Sequence, residues 1–167
     1  MAPPPSQVVS PFVSLILRIV TLICLLISLI LLITVDGTAL LPDYGHTKVK
    51  FKDVQAFKYM CAAIVIGIVY SLLQTTFTVI QINSGSRFGG DGFVYIDFYG
   101  DKIISYILIN GAAASFGFTQ DMRDLVDLLG ITGFANKVNA AAALCTLGFL
   151  FTAILSILSS MALPEKA

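Results

Sequence analysis

Four long stretches of the sequence are almost free of charged residues. They run from Phe12 to Val35, from Tyr59 to Ile82, from Ile103 to Gln120 and from Val138 to Leu163. Three of them reach the ~20 apolar residues that a helix needs to cross the hydrocarbon core of a bilayer. The third stretch is shorter and must borrow residues before Ile103, which brings Asp101 and Lys102 towards the membrane. Backbone groups in lipid must be satisfied within the segment, so all four stretches are predicted to be helices.

The predicted fold is therefore all-α: an integral membrane four-helix bundle with short loops. The helices are expected over about residues 12–35, 57–82, 98–120 and 138–163, within one transmembrane domain that covers residues 12–163. A Pro-rich segment, residues 1–11, is expected to be a disordered tail, and residues 164–167 form a second tail. The first stretch is too long for a signal peptide and has no basic segment before it, so we expect it to be retained.

The charge content excludes several classes of function. Only 12% of the residues are charged, against about 25% in an average soluble domain, and ten basic residues balance ten acidic ones. No basic face that could neutralise nucleic-acid phosphates is expected. His46 is the only histidine, and Cys24, Cys61 and Cys145 lie in apolar stretches, where they are interpreted as packing residues. We therefore expect no catalytic residues, no cofactor, no metal site and no nucleic-acid partner.

Two charged residues are expected to lie within the membrane. Arg18 and Asp101 both lie near the N-terminal ends of the first and third helices, which run in the same direction, so they share a depth and a membrane side. An ion pair between them is allowed, and the alternative is that Arg18 reaches the head groups while Lys102 neutralises Asp101. Tyr70 lies in the middle of the second helix, where its hydroxyl also needs a partner.

Small residues recur at four-residue spacing in the second and third helices, a pattern that lets helix backbones approach closely. They are Ala63, Gly67 and Ser71 in the second helix, and Gly111 with Ser115 and Ala113 with Gly117 in the third. We predict that they form helix-packing or oligomer faces. The spacing alone does not separate packing inside one bundle from packing between protomers. Gln74, Asn110 and Gln120 add amides that can hydrogen-bond across helices.

Several segments together resemble the Casparian-strip-membrane-domain-like (CASP-like) proteins of plants, which are related to the MARVEL tetraspan group. The matching segments are the first helix around Arg18, residues 56–74, residues 101–115 and residues 134–160. The resemblance implies that Arg18 and Asp101 are the characteristic membrane charges of the family. The second loop has Leu128 and Ala135 where many relatives carry a cysteine pair, so the resemblance does not extend to Casparian strip formation.

The resemblance also implies a function. It implies a non-enzymatic scaffold of the plasma membrane that forms homo-oligomers and hetero-oligomers with related family members, organises a membrane domain and is linked to local cell-wall modification. Besides the lipid bilayer, cell-wall or secreted enzymes are candidate partners. Cytosolic N and C termini are implied, whereas the Lys and Arg residues of the loops mildly favour the reverse orientation. The alternative function is a channel or transporter subunit with a polar path near Arg18 and Asp101, to which Asn110 and Gln120 would contribute.

Overall fold

The computed structural model describes residues 11–41, 45–50, 54–84, 90–128 and 130–161. Within these residues the chain forms five helices and two strands. In chain order they are α1 (Pro11–Ile33), β1 (Asp36–Leu41), β2 (Gly45–Lys50), α2 (Gln55–Ser84), α3 (Gly90–Asp121), α4 (Arg123–Leu128) and α5 (Thr132–Met161). The predicted class, a helical membrane protein, is confirmed. The expected C-terminal tail, and the expected N-terminal tail up to residue 10, lie outside the described residues.

The long helices pack side by side in the circular order α1, α2, α3, α5. Chain direction reverses at each connection, so neighbouring helices are antiparallel. Helices α1 and α3 are therefore parallel and lie diagonally across the bundle from each other. This diagonal brings residues from the first halves of α1 and α3 to the same level of the bundle interior.

Helices α1, α2 and α5 are long and apolar enough to cross a membrane, over Phe12–Ile33, Gln55–Ser84 and Thr132–Met161, the three such spans in the described part of the chain. Helix α3 has 32 residues but carries five of the eight charged residues of the four long helices, four of them in its first half. It packs along both α2 and α5. Because it lies between two spanning helices, we assign the fourth pass to α3.

Helices α3 and α5 begin earlier than the charge pattern indicates, at Gly90 rather than about residue 98 and at Thr132 rather than about residue 138. Charged residues mark the edge of the hydrocarbon, so the sequence predicts helix ends where they appear. A helix can continue beyond that edge, since its backbone hydrogen bonds do not depend on lipid. The acidic residues before Ile103, and Lys137 before Val138, thus lie on helices that extend past the apolar stretches.

The first connection contains a β-hairpin that the sequence analysis did not predict. Strands β1 and β2 pair antiparallel, with Asp36 opposite Lys50 and Leu41 opposite Gly45. The spacing of charges indicates which segments cross the hydrocarbon. It carries no information on how backbone strands pair outside the membrane. The hairpin adds a small structured element to one end of the bundle.

The bundle interior is made by apolar side chains from all four long helices. The largest fully buried ones include Leu25 and Leu32 of α1, Phe57 and Met60 of α2, Leu108 of α3 and Val138 of α5. Phe57 meets Phe118 edge to face, with ring centroids 5.3 Å apart. Lipid tails are as apolar as these side chains, so removal of water does not drive helix association. The bundle is stabilised by close packing and interhelical hydrogen bonds instead.

Candidate functional site

A buried ion pair joins two diagonally opposed helices in the interior of the bundle. Arg18 of α1 and Asp101 of α3 make two contacts, from Nη1 to Oδ1 at 3.2 Å and from Nη2 to Oδ2 at 3.3 Å. The two side chains are almost fully enclosed, with residue exposures of 3% for Arg18 and 0% for Asp101. The planar guanidinium thus faces the carboxylate in the bidentate arrangement that gives arginine pairs their directionality.

The depth of this pair explains why the partners meet. Arg18 lies about two turns into α1, ~10 Å from the start of the helix. An ionised side chain at such a level of a transmembrane helix is expensive unless it is paired or reaches the head groups. Of the two arrangements allowed by the sequence, the structure has Arg18 directed to Asp101 inside the bundle rather than towards the head groups.

Helix α2 completes the cluster with two polar side chains. The Tyr70 hydroxyl donates to Asp101 Oδ1 at 2.9 Å, and Gln74 Nε2 donates to the Tyr70 hydroxyl oxygen at 3.1 Å. The Tyr70 hydroxyl was predicted to need a partner, and that partner is Asp101. Arg18, Asp101, Tyr70 and Gln74 form what we call the polar lock, because they connect α1, α2 and α3 at one level.

A glycine makes room for the tyrosine of the polar lock. A Cβ atom at Gly100 would lie 2.5 Å from the Tyr70 hydroxyl oxygen and 2.9 Å from its ring, closer than real Cβ contacts allow. Only a residue without a side chain lets the Tyr70 ring lie against α3 and reach Asp101. Nearby, the Ser156 hydroxyl of α5 donates to the Phe98 carbonyl at 3.3 Å, so α5 is also tied to α3 at this end of the bundle.

The contacts of the polar lock hold helices together. The Arg18 and Asp101 side chains face each other, and neither faces an open cavity or lipid. Across the described residues, no group of three or more His, Cys, Asp or Glu side chains lies close enough together to hold a metal ion. Asn110 and Gln120, the other residues of the alternative polar path, are exposed on the outside of α3 instead. The four residues of that path are therefore divided between the interior and the outer surface.

The small residues of the sequence pattern divide into two groups. Those on α2 and two of those on α3 are buried inside the bundle: Ala63, Gly67, Ser71, Gly111 and Ser115. A Cβ atom at Gly111 would lie 3.0 Å from the Ala63 Cβ atom and 3.3 Å from the Met60 Cα atom, so α2 and α3 are in near-backbone contact there. Ala113 and Gly117 are exposed, and a Cβ atom at Gly117 would meet nothing within 4 Å.

Most of the exposed residues of α3 form a line along the helix, at alternating spacings of four and three. We call this line the α3 outer stripe: Tyr99, Ile103, Tyr106, Asn110, Ala113, Gly117 and Gln120. Alternating spacings of this kind place the residues on one face of the helix. Asn110 lies ~16 Å from the end of α3, near the level of the bilayer midplane. The stripe therefore carries an amide where lipid tails would offer it no hydrogen bond.

Further hydrogen bonds tie the helices together at the other levels of the bundle. The Thr119 hydroxyl donates to Asn139 Oδ1 at 2.6 Å, joining α3 to α5. The Ser28 hydroxyl of α1 donates to the Ala141 carbonyl of α5 at 2.7 Å. Neither contact was predicted, because a hydroxyl in an apolar stretch is usually satisfied by its own helix, as most of the threonines here are.

Gln74 was predicted to hydrogen-bond across helices, whereas in the structure its Nε2 donates to Tyr70 of the same helix. Gln74 and Tyr70 are four residues apart in a stretch without charges, so they share a helix face. The buried positions of α2 include Met60, Ile64, Gly67, Ser71, Gln74 and Thr78, again at spacings of three and four. An amide on the same helix face as two buried small residues indicates a hydrogen bond in the interior of the bundle.

Known plant proteins are similar to this chain over nearly its whole length. The Casparian strip membrane protein domain matches residues 9–151. CASP-like protein 4D1 of Ricinus communis is 48% identical over 99% of this chain and 99% of the relative, and CASP-like protein 4D1 of Populus trichocarpa is 44% identical over 95% and 90%. CASP-like protein 4D2 of Arabidopsis thaliana is 39% identical over 99% of both chains. No solved structure matches the chain. The chain therefore belongs to the CASP-like family of plant membrane proteins.

Proposed function

We propose that this protein is a non-enzymatic membrane scaffold whose copies associate through the α3 outer stripe. The observation that carries the proposal is the exposed amide of Asn110. Within the described residues its side chain makes no hydrogen bond, and it lies at the level where lipid offers none. A second copy supplies both a donor and an acceptor when the same amide faces it across a two-fold axis.

The rest of the stripe fits this role. Ala113 and Gly117 follow Asn110 towards the end of α3 and project little beyond the backbone, so two α3 helices can approach closely beside the amide pair. Polar residues at one position of a helix seam fix the register of the partners. Related family members that present a similar stripe would associate in the same way, giving hetero-oligomers.

The proposal includes a location and an orientation. We place the scaffold in the plasma membrane with both termini in the cytosol, as family membership suggests. The β-hairpin and α4 then face the cell wall, because both lie at the end of the bundle opposite to Pro11 and Met161. Cell-wall or secreted enzymes are the partners that this end would hold. The mutual burial of Arg18 and Asp101 favours the scaffold over a channel subunit, which would need these charges to line an open path.

Replacing Asn110 with leucine tests the proposal. We expect self-association in lipid vesicles to weaken by about 3-fold to 30-fold, because interhelical hydrogen bonds of this kind contribute about 0.6–2 kcal/mol. The measurement is energy transfer between donor-labelled and acceptor-labelled copies as the lipid-to-protein ratio is raised. Thr76→Leu is the matched control, since Thr76 is an exposed polar residue of α2 whose hydroxyl is satisfied by its own helix. Equal association of Asn110→Leu and wild type would overturn the proposed interface.

A further inference from the structure

A second feature lies at the opposite end of the bundle from the polar lock. A pocket of about 170 Å³ is bounded by the start of α2, the end of α3, α4 and the start of α5. Its walls include the rings of Phe57, Phe118 and Phe134. Thr119 also lines it, but the Thr119 hydroxyl is engaged by Asn139, so the surface presented to the pocket is apolar.

The pocket opens beside α4. Two of its lining residues, Met122 and Leu125, are themselves exposed. Leu128 at the end of α4 is 81% exposed, while Arg123, Asp124 and Asp127 supply the polar positions of the same helix. A short helix that mixes exposed leucines with charges fits the boundary between head groups and acyl chains. Exposed apolar side chains of Met122, Leu125 and Leu128 therefore lie on the outer surface next to the pocket.

A tight turn holds part of the pocket wall in place. Gly130 has a φ of +68°, which lets the chain reverse between α4 and α5. The Ile131 amide then donates to the Val126 carbonyl at 3.0 Å, and both residues line the pocket. The wall formed by α4 is thus fixed to α5 by the backbone.

We propose that this pocket binds part of an acyl chain of a membrane lipid, the part nearest to the head group. An apolar cavity of this size does not hold water well, and an engineered cavity of ~150 Å³ with similar walls stays dry and binds benzene. A pocket of comparable volume accepts a segment of a flexible chain, whereas the rigid fused rings of a sterol are too large for it. The bilayer supplies the chain directly at the mouth, so binding does not depend on self-association.

The test uses the full chain in vesicles of phosphatidylcholine, with a trace of phosphatidylcholine that carries a diazirine on the head-group-proximal part of an acyl chain. After irradiation, labelled peptides are mapped by mass spectrometry. We expect labelling to concentrate on residues 118–126 and 131–135. Ala135→Phe should lower it at least fivefold, because Ala135 lines the pocket. Ala140→Phe is the matched control, since Ala140 is exposed on the same helix and its side chain is outside the lining set.

A second variant keeps the proposal testable if Ala135→Phe does not fold. Val126→Phe fills the pocket from α4 instead of α5, and should reduce the same labelling. Thermal unfolding in detergent identifies which variants are folded. Labelling spread evenly over the bilayer-facing helices, undiminished labelling of a folded Ala135→Phe or Val126→Phe protein, or selective labelling of the pocket by a photoactivatable sterol instead would each overturn the assignment.

Discussion

Replacing Arg18 with leucine is expected to destabilise the bundle by about 3–5 kcal/mol, because it leaves the Asp101 carboxylate buried without its counter-charge. Asp101 is fully enclosed and its side chain is too short to reach the head groups. The effect can be read from equilibrium unfolding in mixed micelles. Arg123→Leu is the matched control, since Arg123 is exposed on α4 and should change stability by less than about 0.5 kcal/mol.

A second change should reverse most of this loss. Adding Asp101→Asn to Arg18→Leu removes the unpaired charge and retains an oxygen that can accept the Tyr70 hydroxyl. We expect the double variant to recover more than half of the lost free energy of unfolding. A double variant as unstable as Arg18→Leu alone would contradict a charge-pairing role, as would an Arg18→Leu protein as stable as the wild type.

We expect the substitutions Gly111→Leu and Gly117→Leu to have opposite effects on the stability of the fold. At Gly111 the new side chain would meet Ala63 and the backbone of Met60, so α2 and α3 must separate. Overpacking of this kind costs about 1–3 kcal/mol and occasionally more. At Gly117 nothing lies within 4 Å of the new Cβ atom, and removal of a helical glycine is stabilising by up to ~1 kcal/mol.

These two variants also separate the fold from the interface. Gly117→Leu should unfold at or above the wild-type temperature in detergent, yet associate more weakly in vesicles, because Gly117 belongs to the α3 outer stripe. Gly111→Leu should lower the unfolding temperature directly. If both variants lower it equally, the division of the small residues into an interior group and an outer group is wrong.

The sequence allowed the level of the polar lock to be predicted, but only part of its composition. Arg18 and Asp101 could be placed at one depth because helix direction alternates and each charge lies near the start of its helix. Tyr70 could be expected to need a partner, but its choice of Asp101 depends on Gly100, whose missing side chain admits the ring. That requirement becomes visible only when α2 and α3 are packed together.

The small-residue pattern shows a second limit. Spacing gives the period of a helix face but not its direction relative to the neighbouring helices. Gly111 and Gly117 belong to similar four-residue pairs, yet the packing of α3 against α2 and α5 buries one and exposes the other. The charge pattern likewise did not predict the helix starts at Gly90 and Thr132 or the β-hairpin. Charges report only where a segment leaves the hydrocarbon.

The most direct test of the proposed self-association is cysteine crosslinking within the membrane. Ala113→Cys lies on the α3 outer stripe, and Ala62→Cys is an exposed control at a similar depth on α2. Both are made in a Cys24→Ala, Cys61→Ala background, because those two thiols are partly exposed, whereas Cys145 is buried. We expect mild oxidation of native membranes to give a disulfide-linked dimer with Ala113→Cys and little with Ala62→Cys. Equal crosslinking at the two positions, or dimer formation through Ala62→Cys alone, would contradict it.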